Sequence, residues 1–487
     1  GLTATALLQA ALLRLGAQVT AFIPDRLGSG YGLYLPVIQS AAQAGARLMI
    51  TVDGGIREHD AIRQAAAWGL DTIVTDHHLP LPELPPAIAV LNPHRPDCAY
   101  PDKNLTGAGV AFKLAQALFE RAGLAAPGQP LPWLRSACKL AAIGAVADAA
   151  PLSGENRVLV RLGLEALQGT NGPGLAALLA QARSPGCLDP WRAEDLAFRV
   201  APRLNAAGRM ARADLALALL TAPAAAEAQG LAAQLEALNA ERREAERRIC
   251  EEALAMLALA PDVSQEPVLV FDSAGWHRGV LGLAAARVMA AAAKPVLIFA
   301  REDGTAYGSG RAPAGRHLLA ALECCAPLFT RFGGHAQAVG CTLPADRLPE
   351  LRQRLRAAPA AVWADAGPGP AAPAPPVPAD PAEFTPAAVQ QLAWLEPCGA
   401  GNPPPVFACS QARLLAPPAV LKDQHLKLSL SGPDGAPLDA LAWNGAARAR
   451  GLAAGDTVAF QCRAEFSVHA RFGSRVQLII QNWAQPA

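Results

Sequence analysis

No Cys-x-x-Cys pair occurs among the ten cysteines, and Cys324 and Cys325 are direct neighbours. That spacing supplies neither a zinc ribbon nor a disulfide framework, and it fits a reducing cytoplasm. Charge is scarce too, at 17% of residues, with a net charge of +1. A global field that would draw the chain to nucleic acid is excluded, so any such contact must come from local patches. The first residues lack a signal-peptide layout. The longest apolar run, near 280–300, is broken by Arg287 and Lys294, so no membrane span is expected. What remains is a 487-residue chain with 52% apolar residues, a length that suggests about three domains.

The most informative stretch is 70–79. Ile73 and Val74 read as the core of a short buried strand that runs into Asp76, His77 and His78, after which Pro80 and Pro82 prevent its continuation. Side chains able to bind metal or move protons at the C-terminal end of an apolar strand sit where open α/β sheets place their chemistry. A lone His-His pair is equally compatible with a surface loop. A second strand of the same design, 48–53, shifts the balance: it ends on Asp53, and Gly54-Gly55 leave room for a ligand near the backbone.

Around these two strands the pattern alternates. A helix of good formers starts at Leu2, Gly16 is placed to stop it, and 19–23 reads as a strand. A Gly-rich loop carrying Arg26 follows. Strands at 46–53, 70–75 and 88–91 and a helix near 57–68 predict a parallel sheet with helices on its faces. Helices near 106–122 and 133–147 come next, and Asp148 stands where the second runs out. A carboxylate there is unfavourable for the helix dipole and suggests a positive partner. Three arginines, Arg199, Arg203 and Arg209, surround Gly208. The long helical stretch 229–257 carries i, i+4 charge pairs such as Arg242/Glu246 and reads as an exposed strut.

A second α/β unit begins near 266, with strands at 266–271 and 295–299 and a helix over 281–292. Residues 307–313 and 331–340 read as glycine-rich loops in which Ser309, Arg311 and His335 add donors suited to a phosphate. Residues 357–381 are rich in Ala and Pro and read as a linker. Five strand-like runs between 406 and 480 predict a small β-barrel of the OB type. Residues 398–487 hold eight Lys/Arg against five Asp/Glu, and Trp443, Phe466, Phe472 and Trp483 are candidate stacking residues.

Residues 75–78 after Val52-Asp53, together with Asp148, resemble the DHH phosphoesterase superfamily, and Trp276-His277-Arg278 with Gly333-Gly334-His335 resembles its DHHA1 partner. With residues 202–210 and a terminal barrel opened by 399–407, the chain resembles the RecJ family of single-strand-specific 5′→3′ DNA exonucleases. The resemblance implies an α/β fold with a parallel-sheet DHH domain over 1–228 and a connecting helix over 229–257. A smaller α/β DHHA1 domain over 258–356, a linker over 357–383 and an OB-type β-barrel over 384–487 complete it. It implies two Mn²⁺ or Mg²⁺ ions, with Asp53, His77 and Asp148 as ligands, His78 as the catalytic group at the scissile phosphate, and Asp76 orienting the histidines. Arg26, Arg209, Ser309, Arg311, Gly333, Gly334 and His335 would hold the nucleotide end. It further implies release of 5′-mononucleotides in recombination and repair and action as a cytoplasmic monomer on single-stranded DNA. Single-strand-binding protein and a RecQ-type helicase are the implied partners.

One departure stands out. The superfamily's first motif is an Asp-x-Asp-x-Asp-Gly loop, and Gly1 matches its final glycine, so those upstream aspartates are not in this sequence and metal binding by the chain as numbered is in question. Two other readings stay open. One is a small-substrate DHH enzyme (oligoribonuclease, nucleotide phosphatase, cyclic-dinucleotide phosphodiesterase or, further off, a family II pyrophosphatase). The other is a RecJ-like non-catalytic scaffold.

Overall fold

The computed structural model describes residues 1–24, 32–124, 131–210, 212–259, 266–364, 374–449, 451–471 and 473–483. The first sheet is three-stranded and parallel: β1 (Leu48–Val52), β2 (Asp71–Thr75) and β3 (Ala89–Leu91), in that order. Its strands are β-branched and apolar, as a sheet covered by helices requires. Ile50, Ile73 and Ala89 share one row. The same register makes Asp53, Asp76 and Asn92 the first residue past each strand, all at the C-terminal edge.

Helices Leu2–Arg14, Gly107–Arg121 and Pro132–Ala147 pack together beside this sheet through Leu7, Ala11, Phe112, Ala115, Cys138 and Ala141. Thr106 caps the second of them, its Oγ1 accepting from the Gly109 amide at 3.2 Å. Residues 19–23, expected as a strand, pair with no neighbour among the described residues, and Phe22 is about half exposed. Without a ladder or a burying partner, β-propensity alone does not make a strand.

Helix Ala225–Leu259 joins the two α/β units. It is no exposed strut. Ala228, Ala232 and Leu235 enter the helical core of the first domain, while Ile249, Cys250 and Ala253 pack under the second sheet. Glu246 is buried and held by Arg242 Nη1 at 2.9 Å and by Arg287 Nε of the second domain at 2.7 Å. Its i, i+4 spacing looks the same whether the pair is solvated or enclosed.

The second sheet has the order β4-β5-β6-β8-β7: β4 (Leu269–Ser273), β5 (Val296–Glu302), β6 (Thr305–Arg311), β7 (Arg331–Gly334) and β8 (Ala338–Pro344). The glycine-rich segments expected as loops are therefore strands. A Cβ on Gly308 would lie 2.2 Å from Phe299 and one on Gly310 2.6 Å from Leu297, so these glycines serve close packing. Phe299 is fully buried behind them.

The C-terminal unit is a sheet of order β11-β12-β13-β15-β14-β10-β9. Its strands are β9 (Val377–Pro378), β10 (Phe407–Arg413), β11 (Ala419–Leu421), β12 (His425–Ser431), β13 (Pro437–Ala442), β14 (Thr457–His469) and β15 (Gly473–Trp483). A bridge between Leu414 and Leu430 closes it into a barrel around Leu428, Leu430, Phe460 and Leu478. The barrel docks on the first domain at two places. Leu152 N donates to Ala400 O at 2.6 Å, and Leu188 N donates to Val468 O at 3.0 Å.

Candidate active site

Parallel register brings the chemistry to one edge. Asp53 follows β1 with φ of 60°, a left-handed conformation tolerated by Asp, and its amide donates to Thr75 O at 2.9 Å. Gly55, at φ of 103°, completes the turn. Asp76 is 1% exposed. Its Oδ1 accepts from the His77 amide at 2.7 Å, the His78 amide at 3.1 Å and His78 Nδ1 at 2.7 Å, while Oδ2 accepts from the Ile56 amide at 3.1 Å. Burial opposes charge on Asp76, but the His78 imidazole and the His78 and Ile56 amides outweigh it and hold the carboxyl below its usual range. The same contact raises the His78 pKa, against burial. Asp76 thus fixes the ring of His78, whose side chain is otherwise more than half exposed.

His77 points the other way. Its Nε2 lies 3.0 Å from Asp53 Oδ1 and 3.6 Å from Asp148 Oδ2, yet this buried nitrogen has no aligned hydrogen bond. Asp148 reaches the site as the C-cap of helix Pro132–Ala147. Burial raises its pKa, against the His77 imidazole. At Asp53 burial also works against charge, but the His77 imidazole beside it holds the carboxyl below its ordinary value. Ligand atoms of Asp53, His77 and His78 lie within 4.8 Å of one another.

The donor set fits a divalent cation. Two carboxylates and an imidazole nitrogen without a hydrogen-bond partner converge. The structure brings Asp53, His77 and Asp148, the ligands the resemblance implies, to one place, and His78 lies within reach as well.

A second constellation surrounds the first turn of helix Leu281–Ala292. Arg311 Nη1 lies 3.4 Å from Ser309 Oγ, and a Cβ on Gly282 would stand 2.9 Å from Arg311 Nη2 and 3.1 Å from Ser309 Oγ. Arg209 crosses from the first domain, its Nη1 donating to Gly279 O at 3.3 Å. Ser309, Gly340 and Gly333 share one row of the sheet, so the hairpin with Gly333, Gly334 and His335 adjoins the same strand. His335 and Ala338 close that hairpin with paired backbone bonds, and Gly334 turns at φ of 140°. Arg26 lies outside the described residues.

Sequence reasoning missed Asn92, Gly107 and Phe198. Asn92 Nδ2 donates to His78 O at 2.8 Å and its Oδ1 accepts from the His94 amide at 2.7 Å, so it braces the histidine loop from β3. The readable signal was a buriable amide directly after a strand. Phe198 stands 75% exposed on a π-helical turn, Leu196–Val200, in a cleft of about 700 Å³ between the first domain and the barrel. Ala149, Trp191, Arg192, Arg463 and Phe466 also line that cleft.

Comparison with known proteins agrees with this layout. Residues 1–144 match the DHH family, N-terminal domain, residues 265–360 the DHHA1 domain, and residues 377–482 the RecJ OB domain. The single-stranded-DNA-specific exonuclease RecJ of Dickeya dadantii is 38% identical over 464 residues, covering 91% of this chain and 79% of that one. The Bacillus subtilis protein of the same name is 40% identical over 357 residues, 73% of this chain, and the match spans 44% of its length. A crystal structure of Thermus thermophilus RecJ in complex with Mn²⁺ superposes with a TM-score of 0.80 at 32% identity, covering 100% of this chain and 67% of that one. The same protein in complex with Mg²⁺ gives 0.72 at 30%, covering 100% and 66%. With 38% identity to a RecJ over 91% of this chain and 79% of that one, and with DHH, DHHA1 and RecJ OB matches along its length, the chain belongs to the RecJ family.

Proposed function

We propose that this chain is a metal-dependent nuclease that removes 5′-mononucleotides from single-stranded DNA in the 5′→3′ direction during recombination and repair. The observation that carries the reading is the convergence of Asp53, His77 and Asp148 at the C-terminal edge of the parallel sheet. Those side chains would hold Mn²⁺ or Mg²⁺, with two ions in the intact protein. A bound pair of such ions supplies a water of lowered pKa and stabilises charge on both apical oxygens of the attacked phosphate.

The remaining roles belong to the protein. Asp76 keeps Nδ1 of His78 engaged, which leaves Nε2 to face the scissile phosphate and give a proton to the departing oxygen. Asn92 and the Ile56 amide hold that loop still. Arg209, Ser309 and Arg311 would grip a terminal 5′-phosphate, since guanidinium forks bind phosphate oxygens bidentately. Such a stop sets polarity, because the strand cannot pass it. The cleft beneath the barrel has the volume of a small-ligand site, roughly 300–1,000 Å³, with Phe198 offering an aromatic face.

A small-substrate enzyme would have no use for the docked barrel. All ten cysteines are free thiols, which fits a cytoplasmic location, and no described helix is long and apolar enough to cross a membrane. Action as a monomer, and cooperation with single-strand-binding protein and a RecQ-type helicase, rest on family membership alone. The test is digestion of single-stranded against duplex DNA with Mn²⁺ and with chelator, by wild type and Asp53→Ala. Selective, Mn²⁺-dependent digestion by wild type alone supports the reading. Equal activity in the variant refutes it.

A further inference from the structure

We infer that Gly107 is a positioning residue for the Asp53 carboxylate, its bare α-carbon providing the space in which that carboxylate turns toward His77. A Cβ on Gly107 would lie 2.1 Å from Asp53 Oδ1, 2.6 Å from Cγ and 2.7 Å from Cβ. No backbone demand explains the glycine: it is the first residue of helix Gly107–Arg121, with no left-handed φ, where glycine is a weak helix former. The reason is contact with the metal-binding side chain.

Neither backbone can retreat. The Asp53 backbone is tied by its amide to Thr75 O at 2.9 Å, and its carboxylate faces His77 Nε2 at 3.0 Å. The helix is locked from behind, because Gly144 packs so tightly on it that a Cβ there would lie 2.5 Å from the Ala108 Cβ and 2.6 Å from Thr3 Oγ1. A methyl group at 107 therefore moves the carboxylate, the only soft element in the contact. Asp148, four residues after Gly144 and bonded to its carbonyl at 3.0 Å, stays in place. The result is a centre with one ligand displaced.

This inference rests on the reading of Asp53 as a metal ligand. Mn²⁺ affinity, read from the electron paramagnetic resonance of free Mn²⁺, should fall roughly 10- to 100-fold in Gly107→Ala, the range for loss of a group that orients a ligand. Nuclease activity should return as Mn²⁺ is raised. Gly109→Ala is the packing control: its Cβ would meet Leu105 Cδ1 at 2.4 Å, away from Asp53, so it should lower the Tm and leave Mn²⁺ affinity unchanged. If Gly107→Ala does not fold, the pair Gly107→Ala with Asp53→Gly should fold, since glycine accepts the φ at 53 and frees the space; failure of the pair too would overturn the inference. Tight Mn²⁺ binding by wild type and equally by folded Gly107→Ala would also overturn it. No Mn²⁺ binding by wild type would remove the metal reading itself.

Discussion

Asp76 Oδ1 accepts from Nδ1 of His78 at 2.7 Å from a position that solvent barely touches. The pairing separates two neighbouring histidines by role: His78 is steered by a buried carboxylate, and His77 is left to face Asp53 and Asp148.

Loss of the His78 imidazole should therefore act on turnover. His78→Ala is expected to lower kcat about 10²-fold or more, as for a removed proton-transfer group, while calorimetric Mn²⁺ binding stays largely in place. Asp53→Ala should lose Mn²⁺ and activity together. Equal metal loss in both variants would contradict the separate roles.

Arg311→Ala should erode the preference for 5′-phosphorylated over 5′-hydroxyl strands, because Arg311 and Ser309 form one side of the proposed phosphate cradle. Rates on the two substrates measure this directly. A preference unchanged from wild type would move the cradle elsewhere.

Glu246→Ala tests the joint between the α/β units. Removing this buried carboxylate leaves Arg242, with a side chain only 12% exposed, without a counter-charge and with only Asn239 Oδ1, 2.7 Å from its Nη2, still accepting. Breaking a buried pair from one side costs about 3–5 kcal/mol, although the exposed end of Arg287 softens the loss. Urea unfolding should show destabilisation of about 3 kcal/mol; a change below about 0.5 kcal/mol would place the pair among ordinary surface contacts.

Much of the site was legible in the sequence because it lies at strand ends. Apolar β-branched runs closing on Asp53 and on Asp76-His77-His78 marked both strands, and parallel pairing then had to bring their ends to one edge. Asn92 escaped because β3 is only three residues long and its amide resembles any turn residue. Gly308 and Gly310 read as loop glycines in the sequence because close packing against Phe299 and Leu297 leaves no trace in one dimension. Burial of Glu246 is hidden for a similar reason: an i, i+4 charge pair reads identically on a solvated or an enclosed face. Gly107 carries no chemical group at all, and only three-dimensional proximity to Asp53 shows its place.

The most direct measurement is digestion, in Mn²⁺, of one single-stranded 5′-phosphorylated oligonucleotide labelled in separate samples at its 5′ and 3′ ends. A 5′→3′ single-strand exonuclease releases the 5′ label at once as mononucleotide while the 3′-labelled strand shortens stepwise, and the matching duplex survives. Immediate release of the 3′ label, or no Mn²⁺-dependent release from either end, would contradict the proposed function.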